Sequence, residues 1–445
     1  MDSAVTVLNA AGGEKKGEDI LYSLNKKTGN QLLLQCPKRE RKRRSVFIED
    51  EGSKTKIEKV NIKIVCYCSI FFFVLSLPKI PTKDFLFFLN PFSALYLSLL
   101  TSFSLLISIQ QPVSLDMDPP FREIYKTLLE NTIVDESETK TSLVDECELP
   151  FIDLGRLSLD ESDEKDKCEQ EIARASQEWG FFQVVNHGIS REILENMRRE
   201  QVKLFKQPFD KKSKEDKFLN FSSGTYRWGT PTATCLSQLS WSEAFHIPMT
   251  DISASNGFTS LSSTIEQFAT RVASLAQKLA EILADKLGRK STFFQENCVP
   301  STCYLRLNRY PPCPIPAEVF GLIPHTDSDF LTILHQDQVG GLQLIKDGKW
   351  FAVKPNPEAL IINVGDLFQA WSNDVYKSVQ HRVVTNPRVE RFSTAYFFCP
   401  SYDTEIESGC EPSVYEKFSF KEYREQVQKD VQLLGRKVGL PRFVL

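Results

Sequence analysis

The region from Cys303 to Phe398 limits the possible folds more than any other part of the chain. Its apolar residues fall into short segments that are separated by Pro, Gly, Asn and Asp, which is typical of consecutive β-strands. The residues before this region show helical periodicity instead. Helices followed by many short strands predict a mainly β protein with flanking helices, whose strands form a sandwich or a barrel.

Apolar residues at helical spacing predict three helices, over about residues 166–179, 264–287 and 421–438. Ser263 and Glu266 have the spacing of a capping box at the start of the second helix. Gly288 suits the left-handed position that often ends a helix. The helical segments are therefore expected to surround the strand-rich region.

The chain changes character near residue 116. Residues 1–116 carry 16 basic and 11 acidic side chains, a net charge of +5, whereas residues 117–445 carry 38 and 47, a net charge of −9. The overall net charge of −4 gives no reason to expect a nucleic-acid partner. The 11 cysteines are widely spaced, which favours a reducing compartment and a cytoplasmic location. The sequence predicts no oligomeric state.

Residues 1–116 form a doubtful extension with two interpretations. Residues 64–109 are strongly apolar and include 25 uncharged residues from Phe85 to Ile109, enough for a helix that spans a bilayer. They are either a membrane anchor or, as we favour, translated non-coding sequence ahead of a start at Met117. Six of the seven residues from Lys38 to Arg44 are basic, which indicates either a nuclear signal or a solvated patch.

Three residues of the strand-rich region have the types and spacing of a metal site. His325 and Asp327 are two residues apart and therefore point the same way in an extended segment. His381 shares a face with its apolar neighbours in a later segment. Two imidazoles and one carboxylate form the facial triad of non-haem Fe(II) sites, although zinc can use the same three ligands.

A second group of polar residues suits a carboxylate ligand. Arg391 and Ser393 share a face of a predicted strand, and a guanidinium beside a hydroxyl is well suited to holding a carboxylate. In the segment from Tyr304 to Tyr310, polar and apolar residues alternate, so that Tyr304, Arg306, Asn308 and Tyr310 face one side. A barrel built from these strands would enclose a polar cavity.

These motifs together resemble the signature of plant 2-oxoglutarate- and Fe(II)-dependent dioxygenases. The resemblance rests on Asn308-x-Tyr310, His325-x-Asp327, His381 and Arg391-x-Ser393, with residues 179–183 and 186–188, and it covers about residues 149–445. Residues 223–229, 239–246 and 308–313 are similar to the gibberellin 2-β-dioxygenase branch, in particular the group that acts on twenty-carbon gibberellins. Residues 1–116 match nothing in that family.

The resemblance implies a double-stranded β-helix, or jelly roll, wrapped by N-terminal helices. It implies an N-terminal dioxygenase region over residues 117–260 and a catalytic core over residues 261–445, which contains a helix, the jelly roll and the C-terminal helix. The implied cofactors are Fe(II), 2-oxoglutarate and O2, and the resemblance allows ascorbate as a further one. It implies that His325, Asp327 and His381 bind iron, and that Arg391, Ser393, Tyr310 and Asn308 bind 2-oxoglutarate.

The implied reaction is 2β-hydroxylation of a gibberellin, with release of succinate and CO2. A gibberellin is a rigid apolar diterpenoid with one or more carboxylates, so its pocket needs aromatic rings and cationic or hydroxyl partners. We nominate no side-chain general base for this reaction. The candidate substrate contacts are Tyr226, Arg227, Trp228, Trp241, His246, Tyr304 and Phe398.

Two alternatives of other kinds stay open. The first is a related dioxygenase that acts on a flavonoid or another small metabolite, because the iron and cosubstrate residues do not distinguish these substrates. The second is a non-catalytic binding protein that is tethered to a membrane through residues 64–109. The intact set of His325, Asp327, His381 and Arg391 argues against the second alternative, since binding alone does not require all four residues.

Overall fold

The computed structural model describes residues 117–130, 144–159, 162–214, 225–230, 233–252, 259–315 and 319–445, together with four short strands nearer the N-terminus. The chain divides into two compact units, Met1–Pro112 and Val113–Leu445. In the first unit, β1 (Ala4–Val5) pairs with β3 (Tyr22–Ser23), and β2 (Val7–Asn9) pairs with β4 (Val46–Ile48). Both pairs are antiparallel.

Some of the predictions fall on residues outside this described part. They are the basic run from Lys38 to Arg44, the apolar residues 64–109, and Ser223 and Gly224 of the segment over residues 223–229. Among the residues that are described, no helix has both the length and the apolar character needed to cross a membrane.

Helices and strands alternate in the first half of the second unit, and strands dominate the middle of its second half. The described helices are α1 (Phe121–Ile124), α2 (Lys126–Glu130), α3 (Ser162–Glu178), α4 (Arg191–Phe205), α5 (Phe209–Lys214), α6 (Met249–Ile252), α7 (Thr259–Lys286), α8 (Thr292–Asn297), α9 (Asp366–Trp371) and α10 (Phe420–Leu434). The described strands are β5 (Glu146–Cys147), β6 (Phe151–Asp153), β7 (Phe181–Val185), β8 (Tyr226–Trp228), β9 (Glu243–Pro248), β10 (Tyr304–Tyr310), β11 (Phe320–His325), β12 (Leu331–Gln336), β13 (Leu342–Lys346), β14 (Lys349–Val353), β15 (Leu360–Val364), β16 (His381–Val384), β17 (Arg391–Phe398), β18 (Glu405–Ile406) and β19 (Phe418–Ser419).

Two large sheets and the short antiparallel pair β18–β19 form the β part of the described residues of this unit. The larger sheet has eight strands in the order β6-β7-β15-β12-β17-β10-β9-β8, and the smaller has five in the order β11-β16-β13-β14-β5. Neighbouring strands are antiparallel except in the pairs β6–β7 and β14–β5. The mainly β jelly roll with flanking helices is confirmed.

The main core lies between one face of the larger sheet and the helices. Alternate residues of β10, β12 and β15, among them Leu305, Ile333 and Ile362, are fully or almost fully buried in one cluster with Phe268 and Leu279 of α7. Because successive side chains in a strand point to opposite faces, the residues between them lie on the other face. That second face, here called the inner face, carries the candidate site.

The long helix differs from its prediction at one end. Helix α7 begins at Thr259, so Ser263 and Glu266 lie inside it and the predicted capping box is wrong. Gly288 has a φ of +66°, which confirms the left-handed residue after this helix. A capping box does occur at α10, where Ser419 and Glu422 exchange hydrogen bonds with each other's backbone.

Candidate active site

Two histidines from neighbouring strands face each other across the smaller sheet. His325 ends β11, His381 begins β16, and the strand register pairs them directly. Their ring centroids are 4.3 Å apart. Asp327, two residues beyond His325, places its Oδ1 3.5 Å from Nε2 of His325 and 3.7 Å from Nε2 of His381. The structure thus brings the three predicted metal ligands together.

Backbone carbonyls hold both rings in a single orientation. Nδ1 of His325 lies 2.8 Å from the carbonyl oxygen of Ile323, and Nδ1 of His381 lies 3.1 Å from that of Val379. A carbonyl oxygen only accepts hydrogen bonds, so each Nδ1 is the donor, and in a neutral imidazole of this tautomer Nε2 carries the lone pair. Both Nε2 atoms lie on the side of Asp327, which is the orientation that ligation of a shared metal requires.

Burial also keeps His381 neutral. Desolvation, followed by the nearby His325, lowers the pKa of His381 to about 4. The rings of Phe181 and His381 pack edge to face, with centroids 5.3 Å apart. The 3.7 Å distance from Nε2 of His381 to Oδ1 of Asp327 is therefore a contact of a neutral imidazole with a carboxylate rather than an ion pair.

Two residues of the larger sheet orient the carboxylate of Asp327. Its Oδ2 accepts hydrogen bonds from Oγ1 of Thr332 at 2.6 Å and from Nδ2 of Asn363 at 2.8 Å, which leaves Oδ1 toward the histidines. Burial alone would raise the pKa of Asp327, but His381, His325 and Thr332 lower it below its ordinary value. The carboxylate is therefore ionised, as a metal ligand must be.

This donor set fits an Fe(II) ion. Two neutral imidazole nitrogens and one carboxylate oxygen lie within 4.8 Å of one another, and both histidines are fixed by hydrogen bonds on their far side. It is the only group of three or more such ligands within the described residues. The same donors are compatible with zinc, so the ligands by themselves do not select the metal.

A buried guanidinium lies on the inner face of the larger sheet. Arg391 begins β17 and is only 2% exposed. Its Nη2 donates to Oε1 of Gln336 at 2.7 Å, its Nη1 donates to Oγ of Ser393 at 3.4 Å, and the Tyr310 ring lies 4.9 Å from its carbon. Its Nε is buried and has no hydrogen-bond partner within the described residues. A buried cation with neutral partners and an unused donor indicates a site for an anion.

Asn308 extends this group along β10. The register pairs Asn308 with Ser393 and Tyr310 with Arg391, and Nδ2 of Asn308 donates to Oγ of Ser393 at 3.4 Å. The four residues predicted to bind 2-oxoglutarate therefore lie together on two neighbouring strands of one face.

The structure brings only three of the seven candidate substrate residues to the inner face. His246 stacks on Tyr304 with ring centroids 3.9 Å apart. Arg227 pairs with Ala244, which precedes His246 by two residues and shares its face. Phe397, which sequence analysis did not select, stacks on Tyr304 at 4.5 Å and belongs to the same face.

The other four candidates point elsewhere. The hydroxyl of Tyr226 donates to the buried carboxylate of Glu243 at 2.5 Å. The rings of Trp228 and Trp241 both contact the Phe121 ring, with centroid distances of 5.7 Å and 4.5 Å. Phe398 lies in the main core, next to Phe294 at 6.2 Å. We therefore leave these four residues, Tyr226, Trp228, Trp241 and Phe398, out of the substrate site.

Sequence analysis also missed Thr332, Asn363 and Gln336. Thr332 and Gln336 on β12 and Asn363 on β15 are polar residues at inward positions of mainly apolar strands, and a polar residue in such a strand is the signal that could have found them. Of the remaining histidines, the backbone N–H of Ile189 donates to His187 Nδ1, and His335 lies 3.1 Å from the carbonyl oxygen of Pro357. Neither joins the cluster around Asp327.

The fold and this site together define a class of enzyme. Residues 301–400 match the family model described as the 2OG-Fe(II) oxygenase superfamily, and residues 149–260 match the model described as the N-terminal part of non-haem dioxygenases in morphine synthesis. The chain belongs to the 2OG-Fe(II) oxygenase superfamily, within the plant dioxygenases that resemble gibberellin 2-beta-dioxygenases. It is a 2-oxoglutarate-dependent dioxygenase.

Two gibberellin 2-beta-dioxygenases are similar to this chain over most of their own length. Gibberellin 2-beta-dioxygenase 8 of Arabidopsis thaliana is 64% identical over 337 residues, which are 74% of this chain and 99% of that protein. Gibberellin 2-beta-dioxygenase 6 of Oryza sativa subsp. japonica is 51% identical over 67% of this chain and 85% of that protein.

A solved structure supports the same assignment. The crystal structure of JOX2 in complex with 2OG, Fe and JA is 30% identical to this chain, with a TM-score of 0.58. It aligns with 74% of this chain and 99% of the JOX2 chain.

Proposed function

We propose that this protein hydroxylates gibberellins at the 2β position and thereby inactivates the hormone or its precursors. It would use Fe(II), 2-oxoglutarate and O2, release succinate and CO2, and act on twenty-carbon gibberellins. The observation that carries this proposal is that the chain has both a three-ligand metal cluster and a separate buried arginine on the inner face of the larger sheet. The 64% identity to a gibberellin 2-beta-dioxygenase of Arabidopsis thaliana supports the choice of substrate.

His325, Asp327 and His381 would hold the iron through Nε2, Oδ1 and Nε2. When bound, iron supplies the oxidative chemistry, because three protein ligands leave about half of an octahedral shell for cosubstrate and oxygen. The residues of the chain fix its position: Ile323 and Val379 orient the two imidazoles, and Thr332 and Asn363 orient the carboxylate.

Arg391 and Ser393 would bind the carboxylate of 2-oxoglutarate that lies far from the metal. A carboxylate there would meet the unused Nε donor of Arg391 and neutralise a charge that otherwise has only neutral partners. Tyr310 supports the guanidinium through its ring, and Asn308 supports the Ser393 hydroxyl. We assign no proton-transfer role to any of these side chains.

The substrate would lie on the inner face next to Tyr304, His246 and Phe397, with Arg227 at its edge. The stacked rings offer an apolar surface to a rigid diterpenoid. Arg227 is exposed and offers a charge to an acidic group of that substrate.

The proposal is tested by succinate release from the purified enzyme with a panel of gibberellins and flavanones. We expect product that has gained one oxygen atom from a twenty-carbon gibberellin, dependent on both iron and 2-oxoglutarate. His381→Gln should abolish turnover, and His335→Gln, a histidine outside the cluster, should keep it. Turnover of a flavanone without turnover of any gibberellin would support the flavonoid alternative instead.

We propose a cytoplasmic location for the enzyme. All eight cysteines within the described residues are free thiols, four of them buried, which suits a reducing compartment. Imaging of the full-length protein with a C-terminal fluorescent tag tests this location, and retention in a membrane or in the nucleus would contradict it.

A further inference from the structure

Helix α4 carries a buried amide on the face that packs against the main core. Gln201 is only 2% exposed, and it lies among apolar residues such as Met197 and Leu204 of the same helix. A buried amide destabilises the fold unless its donors and its acceptor are hydrogen-bonded. The hydrogen-bond partners of Gln201 therefore indicate what this side chain holds in place.

The amide of Gln201 joins two neighbouring strands of the larger sheet. Its Nε2 donates to the carbonyl oxygen of Asn308 in β10 at 3.0 Å and to that of Ser393 in β17 at 2.8 Å. The strand register pairs these two residues directly. Its Oε1 accepts from Oγ1 of Thr394 at 3.2 Å. Because both donors are used on carbonyl oxygens, the orientation of the amide is fixed.

The two carbonyl groups belong to residues whose side chains lie in the proposed cosubstrate site. Gln201 approaches from the main core, whereas the side chains of Asn308 and Ser393 point to the inner face. There the Oγ of Ser393 accepts from Nδ2 of Asn308 at 3.4 Å and from Nη1 of Arg391 at 3.4 Å. Both distances lie beyond the usual range of an N–H···O hydrogen bond, so a small shift of β10 against β17 would break these contacts.

A second contact from α4 reaches the same part of β17. Nη1 of Arg198, which precedes Gln201 by three residues, lies 3.5 Å from Oδ2 of Asp337. That carboxylate oxygen also accepts from the backbone N–H of Phe392 at 2.7 Å. Side chains three residues apart in a helix lie on the same side of it. One side of α4 therefore holds the backbone of residues 391–393 at two points.

We propose that Gln201 is a positioning residue for 2-oxoglutarate, which fixes β10 against β17 where their side chains would meet the far carboxylate. This inference rests on the proposed function, in which Arg391 and Ser393 bind that carboxylate. Gln201 lies on the other face of the sheet and acts through the strands rather than by contact with a ligand. Its loss should therefore weaken the carboxylate site and leave the metal site unchanged.

The test compares 2-oxoglutarate with 2-oxovalerate, which has a methyl group in place of the far carboxylate. Full-length enzyme loaded with Fe(II) is titrated with each acid by calorimetry in the absence of oxygen. Gln201→Met keeps the length of the side chain but removes its donors and its acceptor. It should weaken binding of 2-oxoglutarate by roughly tenfold, at the lower end of the effect of one hydrogen bond to a charged group. Binding of 2-oxovalerate and of Fe(II) should change by less than about twofold, because neither depends on the carboxylate site.

Two further variants separate positioning from general stability. Leu194→Val removes a buried methylene group from the same helix, so it should lower the melting temperature and leave both affinities unchanged. Thr394→Val removes only the partner of Oε1 and should weaken binding of 2-oxoglutarate by about threefold, the effect of a neutral hydrogen bond. The double variant of Gln201→Met and Thr394→Val should bind no more weakly than Gln201→Met, because both changes interrupt the same contact.

An unchanged 2-oxoglutarate affinity in Gln201→Met, or equal losses for the two acids, would overturn the positioning role while leaving the hydroxylase proposal intact. An equally large loss in Leu194→Val would also overturn it, because any weakening of the fold would then have the same effect. Wild-type enzyme that binds both acids equally would overturn the assignment of Arg391 and Ser393 as well, and this result is recognisable because it needs no variant.

Discussion

The surroundings of Arg391 indicate a ligand site at the scale of a single residue. Its guanidinium is 2% exposed and contacts Gln336 and Ser393, both of which are neutral. A buried charge without a carboxylate destabilises the folded state unless a ligand compensates for it. This residue is therefore expected to reduce stability in the absence of 2-oxoglutarate and to increase it in its presence.

Arg391→Met should separate these two effects. Because the variant removes an uncompensated buried charge, we expect its melting temperature without 2-oxoglutarate to equal or exceed that of the wild type. The rise in melting temperature that 2-oxoglutarate gives the wild type should disappear. Arg391→Lys, which keeps the charge but lacks the planar guanidinium, should retain part of that rise. A variant that melts lower but still responds to 2-oxoglutarate would contradict this role.

The lowered pKa of His246 predicts that the stability of the fold depends on pH. Burial and the charges of Arg306, Arg227 and Arg424 lower its pKa from 6.5 to about 4 in the folded protein. The unfolded chain therefore binds the proton more tightly, and the stability contributed by the neutral imidazole is complete above about pH 6.5 and is lost as the pH falls toward 4. When the pH is lowered from about 7.5 to about 5, the melting temperature of the wild type should fall further than that of His246→Gln. Equal losses in the two proteins would contradict this assignment.

For single residues, the sequence predicts the metal-ligand residues better than it predicts the residues that hydrogen-bond to them. The spacing of His325, Asp327 and His381 was enough to identify a cluster, because two of them are local and alternation gives their direction. Thr332 and Asn363 contact Asp327 only through the pairing of distant strands. Their role depends on tertiary register, which a single sequence does not contain.

At the scale of elements, strand direction decides which side chains meet. Phe398 was a candidate for the substrate site, but β17 begins at Arg391, so odd-numbered positions face inward and Phe397 takes that place. A shift of one residue moves a side chain to the opposite face of a sheet, and sequence patterns leave strand ends uncertain by more than that. The same uncertainty explains the capping box that was placed inside α7.

The segment after α10 also reaches the metal cluster. Nζ of Lys437 donates to the carbonyl oxygen of Thr326 at 2.9 Å and to Oγ of Ser328 at 2.7 Å, and it pairs with Oδ2 of Asp366 at 2.8 Å. The first two contacts flank Asp327 in the chain. The C-terminal segment therefore fixes the loop that carries the carboxylate ligand.

Lys437→Met should weaken both folding and metal binding. Removal of the cation leaves the buried Asp366 carboxylate without its ion pair, which costs about 3–5 kcal/mol when such a pair is broken. We expect a lower urea midpoint and a weaker Fe(II) affinity, measured separately. Arg436→Met, at the exposed neighbouring residue, is the matched control and should change neither quantity. A loss of stability with unchanged iron affinity would show that Lys437 supports the fold alone.

At the scale of the whole molecule, length is a poor guide to domain number. A chain of 445 residues suggests about three domains at roughly 150 residues each, yet the structure has two compact units, of which the second begins at Val113. The buried clusters of the described residues begin at Phe121 and draw on both the helical half and the strand-rich half. In the sequence, the change of net charge near residue 116 predicts a boundary there, and the family motifs extend over about residues 149–445.

A buried ionic network connects the residues just before Phe121 to the sheet. Nζ of Lys212 pairs with Glu243 at 2.5 Å and donates to the carbonyl oxygen of Met117 at 2.9 Å. Arg309 pairs with Glu243 at 2.6 Å and with Asp118 at 2.7 Å. Met117 and Asp118 are thus partners of two buried cations.

Two truncations should therefore differ, although their starts lie only four residues apart. A chain that begins at Met117 keeps the network, so we expect its melting temperature and its 2-oxoglutarate turnover to match those of the full-length protein. A chain that begins at Phe121, after an added methionine, leaves Lys212 and Arg309 with fewer partners and should melt lower, because an incompletely paired buried charge is costly. Comparison of both truncations with the full-length protein by calorimetry measures this difference. If the chain that begins at Met117 melts far below the full-length protein or loses most of its turnover, residues 1–116 contribute to the enzyme. If the two truncated chains have the same melting temperature, the stability of the network does not depend on residues 117–120.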